Sequence, residues 1–502
     1  MNERIPYNQQ NTTQSVDWEP TAEAADAEAA KEPHLHQSLT SKLYETQYGG
    51  RSIGTLGGIC LLVNNCLGPG LVQMSTQMQL SGWLPVVLGI GIVGGASFAC
   101  SWMLLYAQAR VRSNLNRVEF TGICEYFFEK KLFLFSVLFY ILTMIVQCIS
   151  GIQQTTQLFD LLIARIFGKS CALEIYPSFF ATPCSNEDNG FSVFQSGSGV
   201  LSIGYAMSGL IAIPFGFFPL ENSIKFQIIS CALMAICVVL LGIDLGILGF
   251  EPSRLPAVGT STSGLVGLLM FNFSLAFSLP SWNNERKLDV RIKRSISSSI
   301  LIGSATMVII GVIAGLAFAP QLGSSKNLID LANESDRPMT LAAVYIFSLA
   351  NNVTTIPVFS IMVRYTLIEH KVIRKPWLAN VVAIALPWLL VIPFSTGAGF
   401  DLVIDFGGSI FIGVTCFVAP PVLFICAMRP TWLFKAQQQS ENIDVEKDDD
   451  NQAVGCHELS DPQLPPFTDQ KRINILSVSS FAFLGALLAS LAYSWYASIT
   501  EN

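Results

Sequence analysis

The sequence predicts an all-α integral membrane protein of eleven transmembrane helices: ten in a 5+5 inverted repeat with helices 1 and 6 broken, plus one extra C-terminal helix. Three observations carry this prediction. Charged residues make up only 13% of the 502 residues against 51% hydrophobic, with a mean hydropathy of +0.49, whereas soluble domains carry about 25% charged residues. The apolar residues fall into long blocks, each about the length that crosses a bilayer. Lys and Arg concentrate in alternate loops between those blocks, as a multi-spanning chain requires.

The spans are expected over Ile53–Met78, Gly82–Tyr106, Leu132–Ile163, Val200–Phe218, Ile224–Leu248, Gly264–Trp282, Ser295–Phe318, Leu341–Leu367, Leu378–Phe394, Leu402–Met428 and Ile473–Ala497. Backbone groups in lipid must be satisfied within the segment, so such blocks are helices. They are too long and too continuous for barrel strands. With the N-terminus inside, the inner loops receive Arg110, Arg112, Arg117, Lys130, Lys131, Lys225, Arg286, Lys287, Arg291, Lys293, Arg294, Lys371, Arg374, Lys375, Arg429, Lys435, Lys447, Lys471 and Arg472. The outer loops receive Arg165, Lys169, Arg254, Lys326 and Arg337. That bias has the sense expected of cytosolic loops, and adding or dropping a span midway would scramble it.

Residues 1–52 are polar and acidic, with no apolar signal segment, and read as a disordered cytosolic tail. Residues 53–428 form a ten-helix core. Residues 429–472, with Asp448, Asp449 and Asp450, form an acidic cytosolic linker, and 473–498 the eleventh helix. The tail and the linker are the places for cytosolic partners; nothing points to nucleic acid. Most of the 12 cysteines sit in apolar blocks as packing residues. Cys171 and Cys184 share a hydrophilic outer loop and can pair if it faces an oxidising compartment. The sequon Asn333-Glu334-Ser335 falls outside, where Asn333 is open to glycosylation. The sequons at Asn272 and Asn352 lie within spans and read as chance.

Two spans are interrupted. Span one holds Asn64-Asn65-Cys66-Leu67-Gly68-Pro69-Gly70, and span six runs from Phe271-Asn272-Phe273-Ser274 through Phe277-Ser278 to Pro280. Proline removes a helix hydrogen bond and clashes with the preceding turn, and flanking glycines ease unwinding. Freed backbone groups are too costly to leave against lipid, so they line a cavity or are covered by protein. The N-terminal end of one half-helix suits a carboxylate, and carbonyls ending the other suit an ammonium or a metal cation. A zwitterionic amino acid presents both charges. The interrupted spans are the first of each five-helix half, the corresponding positions of an inverted repeat.

These segments resemble a known family. Asn65-Cys66-Leu67-Gly68-Pro69-Gly70 followed by Ser81-Gly82-Trp83, the run Phe271–Glu285, Asn352 through Ser360 with Arg364-Tyr365, and Gln157-Leu158-Phe159-Asp160 are similar, in order and spacing, to the amino acid/auxin permease family of the amino acid–polyamine–organocation superfamily. The likeness covers about residues 50–500. It implies secondary active transport of amino acids by alternating access, driven by a proton or sodium gradient, with eleven spans and a cytosolic N-terminus. Family members often carry a proline shortly after the first-span glycines, where this chain has Gln73-Met74, which puts selectivity in question.

The candidate substrate residues are therefore Asn64, Asn65, Gly68, Pro69, Gly70, Gln147, Gln154, Phe273, Ser274, Phe277 and Ser278. Gln147, Gly151 and Gln154 share one helical face, where substrate contact and helix packing are both open readings. In the family fold span eight lies against the first break, so Thr354 or Thr355 would join Asn65 and first-span carbonyls around a sodium ion, hard cations preferring oxygen. Hydrogen bonding between helices uses the same residues. Asp160 is the acid that the resemblance includes for proton coupling; Asp244, Asp401 and Asp405 also lie near outer ends. Beyond a sodium site no metal is expected, and no cofactor. The two membranes, plasma or vacuolar/lysosomal, are not distinguished.

Other classes lack their residues. Gly168-Lys169-Ser170 matches only the tail of a phosphate loop, with Ile163 in the first glycine position. His34, His36, His370 and His457 lie apart and outside the spans. No catalytic triad or dinucleotide fingerprint occurs, so the chain does not read as an enzyme. The rival from another class is an amino-acid sensor of the same fold that carries little flux.

Overall fold

The computed structural model describes residues 51–501 except 112–117, 177–181, 183, 187–198, 218–219, 263, 320–326, 336, 370–372, 374, 396, 429–462 and 465–469. The tail and most of the linker thus lie outside the described residues. Among the described residues nine helices are long and apolar enough to cross a membrane, and one bent pair qualifies as a tenth. The protein is an integral multi-pass membrane protein.

The first segment is helix α1 (Thr55–Cys66), a 3-10 turn over Pro69–Gln73 and helix α2 (Met74–Ser81). Its two halves are bent by 51°. Gly82 ends it at φ 86°, where a side chain would meet Val258 and Gly259 backbone within 2.6 Å. Only glycine allows this turn and this approach. Helix α3 (Trp83–Gln108) follows, then α4 (Phe120–Phe127) and α5 (Lys130–Phe167). At 38 residues α5 is about 57 Å long, well beyond a hydrocarbon core. Lys130, Lys131 and Arg165 mark its two ends.

The expectation of a purely helical chain needs amendment. Beyond α5 lies an antiparallel sheet of order β2-β1-β3: β1 (Lys169–Tyr176), β2 (Cys184–Asn186) and β3 (Gly199–Ser202). In the stretch expected as the fourth span, the helix accordingly begins at Ile203, not Val200. Val200–Ser202 pair with β1 instead, and helix α6 is only Ile203–Phe215.

The remaining helices are α7 (Leu220–Leu248), α8 (Leu265–Asn272), α9 (Leu279–Glu285), α10 (Ile292–Ala317), α11 (Leu328–Glu334), α12 (Pro338–Glu369), α13 (Pro376–Val391), α14 (Gly397–Phe406), α15 (Ala419–Met428) and α16 (Gln470–Glu501). Between α14 and α15, residues Gly407–Val418 are wound as a π-helix. In the most apolar 18-residue stretch of Leu265–Glu285, holding α8 and α9, 94% of residues are buried within the protein, against 17% in that of Lys471–Ala489. Span six is thus the interior element and the C-terminal helix a peripheral one. The core packs α12 against α7 and α5, α1 and α2 against α10, and α8 against the π segment.

Candidate functional site

Pro69 supplies no N–H, so α1 loses its ladder there: Leu67 N is the last to bond back, to Val63 O at 2.9 Å. Gly68 is extended (φ −65°, ψ −166°), and Leu71 N restarts the turn on Gly68 O at 3.0 Å. A methyl on Gly68 would find ordinary contacts, with Phe271 at 3.9 Å and Gln147 Oε1 at 4.0 Å. At Gly70 a methyl would lie 2.8–2.9 Å from both amide atoms of Asn272 and 2.9 Å from Leu268 Cδ1. Gly70, not Gly68, is the steric requirement of the break.

Span six breaks opposite. Helix α8 ends at Asn272, a 3-10 turn covers Ala276–Ser278, and Leu275 N bonds Phe273 O at 2.9 Å. Side chains of neighbouring helices cover the freed carbonyls. Asn351 Nδ2 donates to Leu67 O at 2.7 Å, and Ser97 Oγ donates to Phe273 O at 2.8 Å. This is how irregular backbone survives at membrane depth.

The breaks are also joined to each other. Asn65 Nδ2 donates to Ser278 Oγ at 3.0 Å, tying span one to span six. Gln147 Nε2, from span three, donates to Ser274 Oγ at 2.7 Å and more weakly to Phe271 O at 3.4 Å. Phe273 and Phe277 are fully buried, and the Phe277 ring meets Phe359 edge-on at 5.5 Å. Asn64 turns away to span five, donating to Gln227 O at 3.0 Å. Gln154 accepts from Asn352 Nδ2 at 2.9 Å, so it bridges spans three and eight rather than facing the break.

The span-eight threonines make hydrogen bonds within their own helix. Thr354 Oγ1 donates to Ala350 O and Asn351 O of its own helix and lines a small cavity with Phe215, Ser223, Phe226 and Pro357. Thr355 Oγ1 donates to Asn351 O at 2.9 Å. The span-eight residue that reaches the break is Asn351.

Asp160 is buried near the C-terminal end of α5, where it accepts from Ser170 Oγ at 3.0 Å and Gly204 N at 2.9 Å. It pins β1 and the start of α6 to span three. Cys171 and Cys184, opposite each other in β1 and β2, are joined by a disulfide. Asn333, the expected glycosylation position, is 4% exposed in α11, and its amide oxygen accepts from Arg165 and Tyr345. Asp244 pairs with Arg337 and accepts from Thr340.

Several buried carboxamide atoms around the breaks have no hydrogen-bond partner among the described residues: Asn64 Oδ1, Asn65 Oδ1, Asn351 Oδ1, Asn352 Oδ1, and both Oδ1 and Nδ2 of Asn272. Leaving such a group unpaired costs about 1–3 kcal/mol. They are therefore groups a bound solute or ion can satisfy. Sequence reasoning passed over Asn272, treating it as a chance sequon. Its signal was an amide in an apolar span immediately before the interruption. Ser97 and Gln227, which cap and brace the breaks, carried no such signal. Among the described residues no group of three or more His, Cys, Asp or Glu is placed to hold a metal ion.

At the start of span one, Ile53 runs parallel to Arg286: Ile53 N donates to Glu285 O at 3.0 Å and Lys287 N to Ile53 O at 2.9 Å. At its other end Gly259 N donates to Ser81 O at 2.8 Å, and Gln157 Nε2 of α5 donates to Asp330 Oδ1 at 2.8 Å. Hydrogen bonds thus tie both ends of span one to the segments that flank span six.

No protein-family model matches the chain, and no curated protein matches it. Solved structures do. The chain is similar to MhsT, solved in complex with L-phenylalanine, at 14% identity over 89% of this chain and 99% of that one, with a TM-score of 0.61. It is also similar to Mhp1, a nucleobase-cation-symport-1 family transporter solved in a closed conformation with bromovinylhydantoin bound, at 14% identity over 77% of this chain and 80% of that one, with a TM-score of 0.53. At this identity the likeness is one of fold: this chain has the fold of MhsT and Mhp1.

Proposed function

We propose that the protein is a secondary active transporter that moves amino acids across a membrane by alternating access, coupled to a proton or sodium gradient. The observation that carries the reading is the pair of broken helices, one and six, cross-linked by Asn65 and Ser278 and walled by neutral amides with unpartnered atoms. Paired half-helix ends offer N–H groups to a carboxylate and carbonyls to an ammonium. The sequence likeness to the amino acid/auxin permease family and the fold shared with MhsT, a protein solved with an amino acid, support the same solute class. We read the fold as eleven spans with the N-terminus cytosolic and α6 as the short fourth span. The first ten then form the inverted repeat, and α16 is the appended helix.

The test is uptake by the purified protein in proteoliposomes. Each of the twenty amino acids is offered with a sodium gradient and a pH gradient imposed separately. Gradient-dependent accumulation of one or more is expected. Binding without accumulation under either gradient would replace the transporter with a sensor of this fold. Accumulation of a nucleobase but of no amino acid would keep transport and reject the solute class.

A further inference from the structure

The linker before α16 is docked on the transmembrane core at one described point, Gln463-Leu464. Helix α10 starts without a side-chain cap of its own, Arg291 providing none. A helix leaves its first N–H groups unpaired. Gln463, from a segment 171 residues away, supplies the missing acceptor: its Oε1 takes the Ile292 N–H at 2.9 Å. Its Nε2 donates to Val290 O at 3.0 Å. Leu464 is 1% exposed and belongs to the same buried apolar cluster as the core. Arg110, just past α3 and stacked on Tyr106 at 4.5 Å, donates Nη2 to Leu464 O at 2.8 Å.

This contact reaches the broken helix by a short route. Val290 O also accepts from Arg286 Nη1 at 3.2 Å. The residues on either side of Arg286 form the ladder with Ile53, at the start of span one. Residues 285–292 therefore hold the linker on one side and the inner end of span one on the other. The surrounding sequence, Asp461-Pro462-Gln463-Leu464-Pro465-Pro466, is rich in proline. Proline lowers the conformational entropy that a docked segment loses.

We propose that Gln463-Leu464 is a releasable latch. Docked, it ties the ends of spans two and seven and, through residues 285–292, the start of span one in the arrangement of this structure; undocked, it frees this end of the bundle to open. The proposal rests on the transport reading for its consequence, but its structural part is separable.

The experiment uses the full chain with Gln463→Ala and, independently, Leu464→Ser. Hydrogen exchange is read at the Lys287 amide, whose N–H donates to Ile53 O, and initial uptake is measured in proteoliposomes. Gln463→Ala, which removes neutral side-chain hydrogen bonds, and Leu464→Ser, which removes a buried apolar side chain, should each speed exchange at Lys287 and raise uptake by roughly threefold or more. Parental protection at Lys287 in both variants, or uptake that is unchanged or slower while Lys287 opens, would overturn the latch. If the parent accumulates no amino acid, the transport reading has failed, and exchange at Lys287 alone decides the latch.

Discussion

Gly70→Ala and Gly68→Ala differ by one methyl placed two residues apart on the same break, and they should behave oppositely. At Gly70 the methyl would lie 2.8–2.9 Å from the Asn272 amide and 2.9 Å from Leu268 Cδ1. Ordinary contact begins near 3.5 Å, so neighbours must give by about 0.6 Å. Asn272 and Leu268 are 0% and 1% exposed, so they have little room to yield. Overpacking of this kind costs about 1–3 kcal/mol. If the strain falls on the solute-competent arrangement, uptake drops by about 5- to 150-fold at 1.36 kcal/mol per tenfold. At Gly68 the methyl makes only ordinary contacts, and the extended backbone there suits alanine. Gly68→Ala should stay within about 0.5 kcal/mol of the parent. The assay is paired: initial uptake in proteoliposomes and melting in detergent. A third variant, Gly70→Ala with Asn272→Ala, removes the obstructing amide and should restore melting toward the parent, since residues in contact couple. Equal behaviour of the two single variants would refute the packing argument. Failure of the double variant to recover melting would place the strain on Leu268 instead.

The other expectations concern single contacts. Gln147→Leu deletes the donor to Ser274 and leaves that hydroxyl short of a partner, so uptake should fall about tenfold; an unchanged apparent affinity would remove Gln147 from the site. Thr354→Ala with Thr355→Ala should lower sodium-driven uptake if either hydroxyl joins a sodium ion. Both hydroxyls already donate within their own helix, so unaltered sodium dependence would retire that role. Cys171→Ser with Cys184→Ser opens a loop of sequence separation 13, worth up to about 3 kcal/mol to the outer sheet. Uptake should stay within about twofold, and a large loss would tie the sheet to transport.

Hydropathy and the positions of proline and glycine made the spans and both breaks legible, because those features report the solvent around a segment and the limits of its backbone. Rotation about a helix axis is a different kind of information. Asn351, Asn352, Thr354 and Thr355 step round span eight at about 100° per residue, so they cannot all face one break. The sequence pointed to Thr354 and Thr355, and only packing against Leu67 brought Asn351 to the break. The distinction between Gly68 and Gly70 was hidden for the same reason: it depends on where Asn272 of another span lies. Gln463 capping Ile292 across 171 positions had no local signal at all. The π-wound stretch at Gly407–Val418 likewise reads as an ordinary apolar block.

The neutral polar groups at the breaks support the proposed zwitterionic solute over one that carries a net charge. The polar groups brought to the breaks are carboxamides and hydroxyls: Asn65, Gln147, Asn272, Ser274, Ser278 and Asn351. Amides supply donors and acceptors at a far smaller burial cost than ions. They can meet the two opposite charges of a zwitterion, whose own field is short-ranged. A polycation would bring several charges to a wall of neutral groups, and an uncompensated buried charge is strongly unfavourable. In competition uptake, neutral amino acids should therefore suppress a labelled neutral amino acid far more than spermidine or lysine does. If spermidine competes as well as a neutral amino acid, a counter-charge must reach the breaks, and the neutral-wall argument fails.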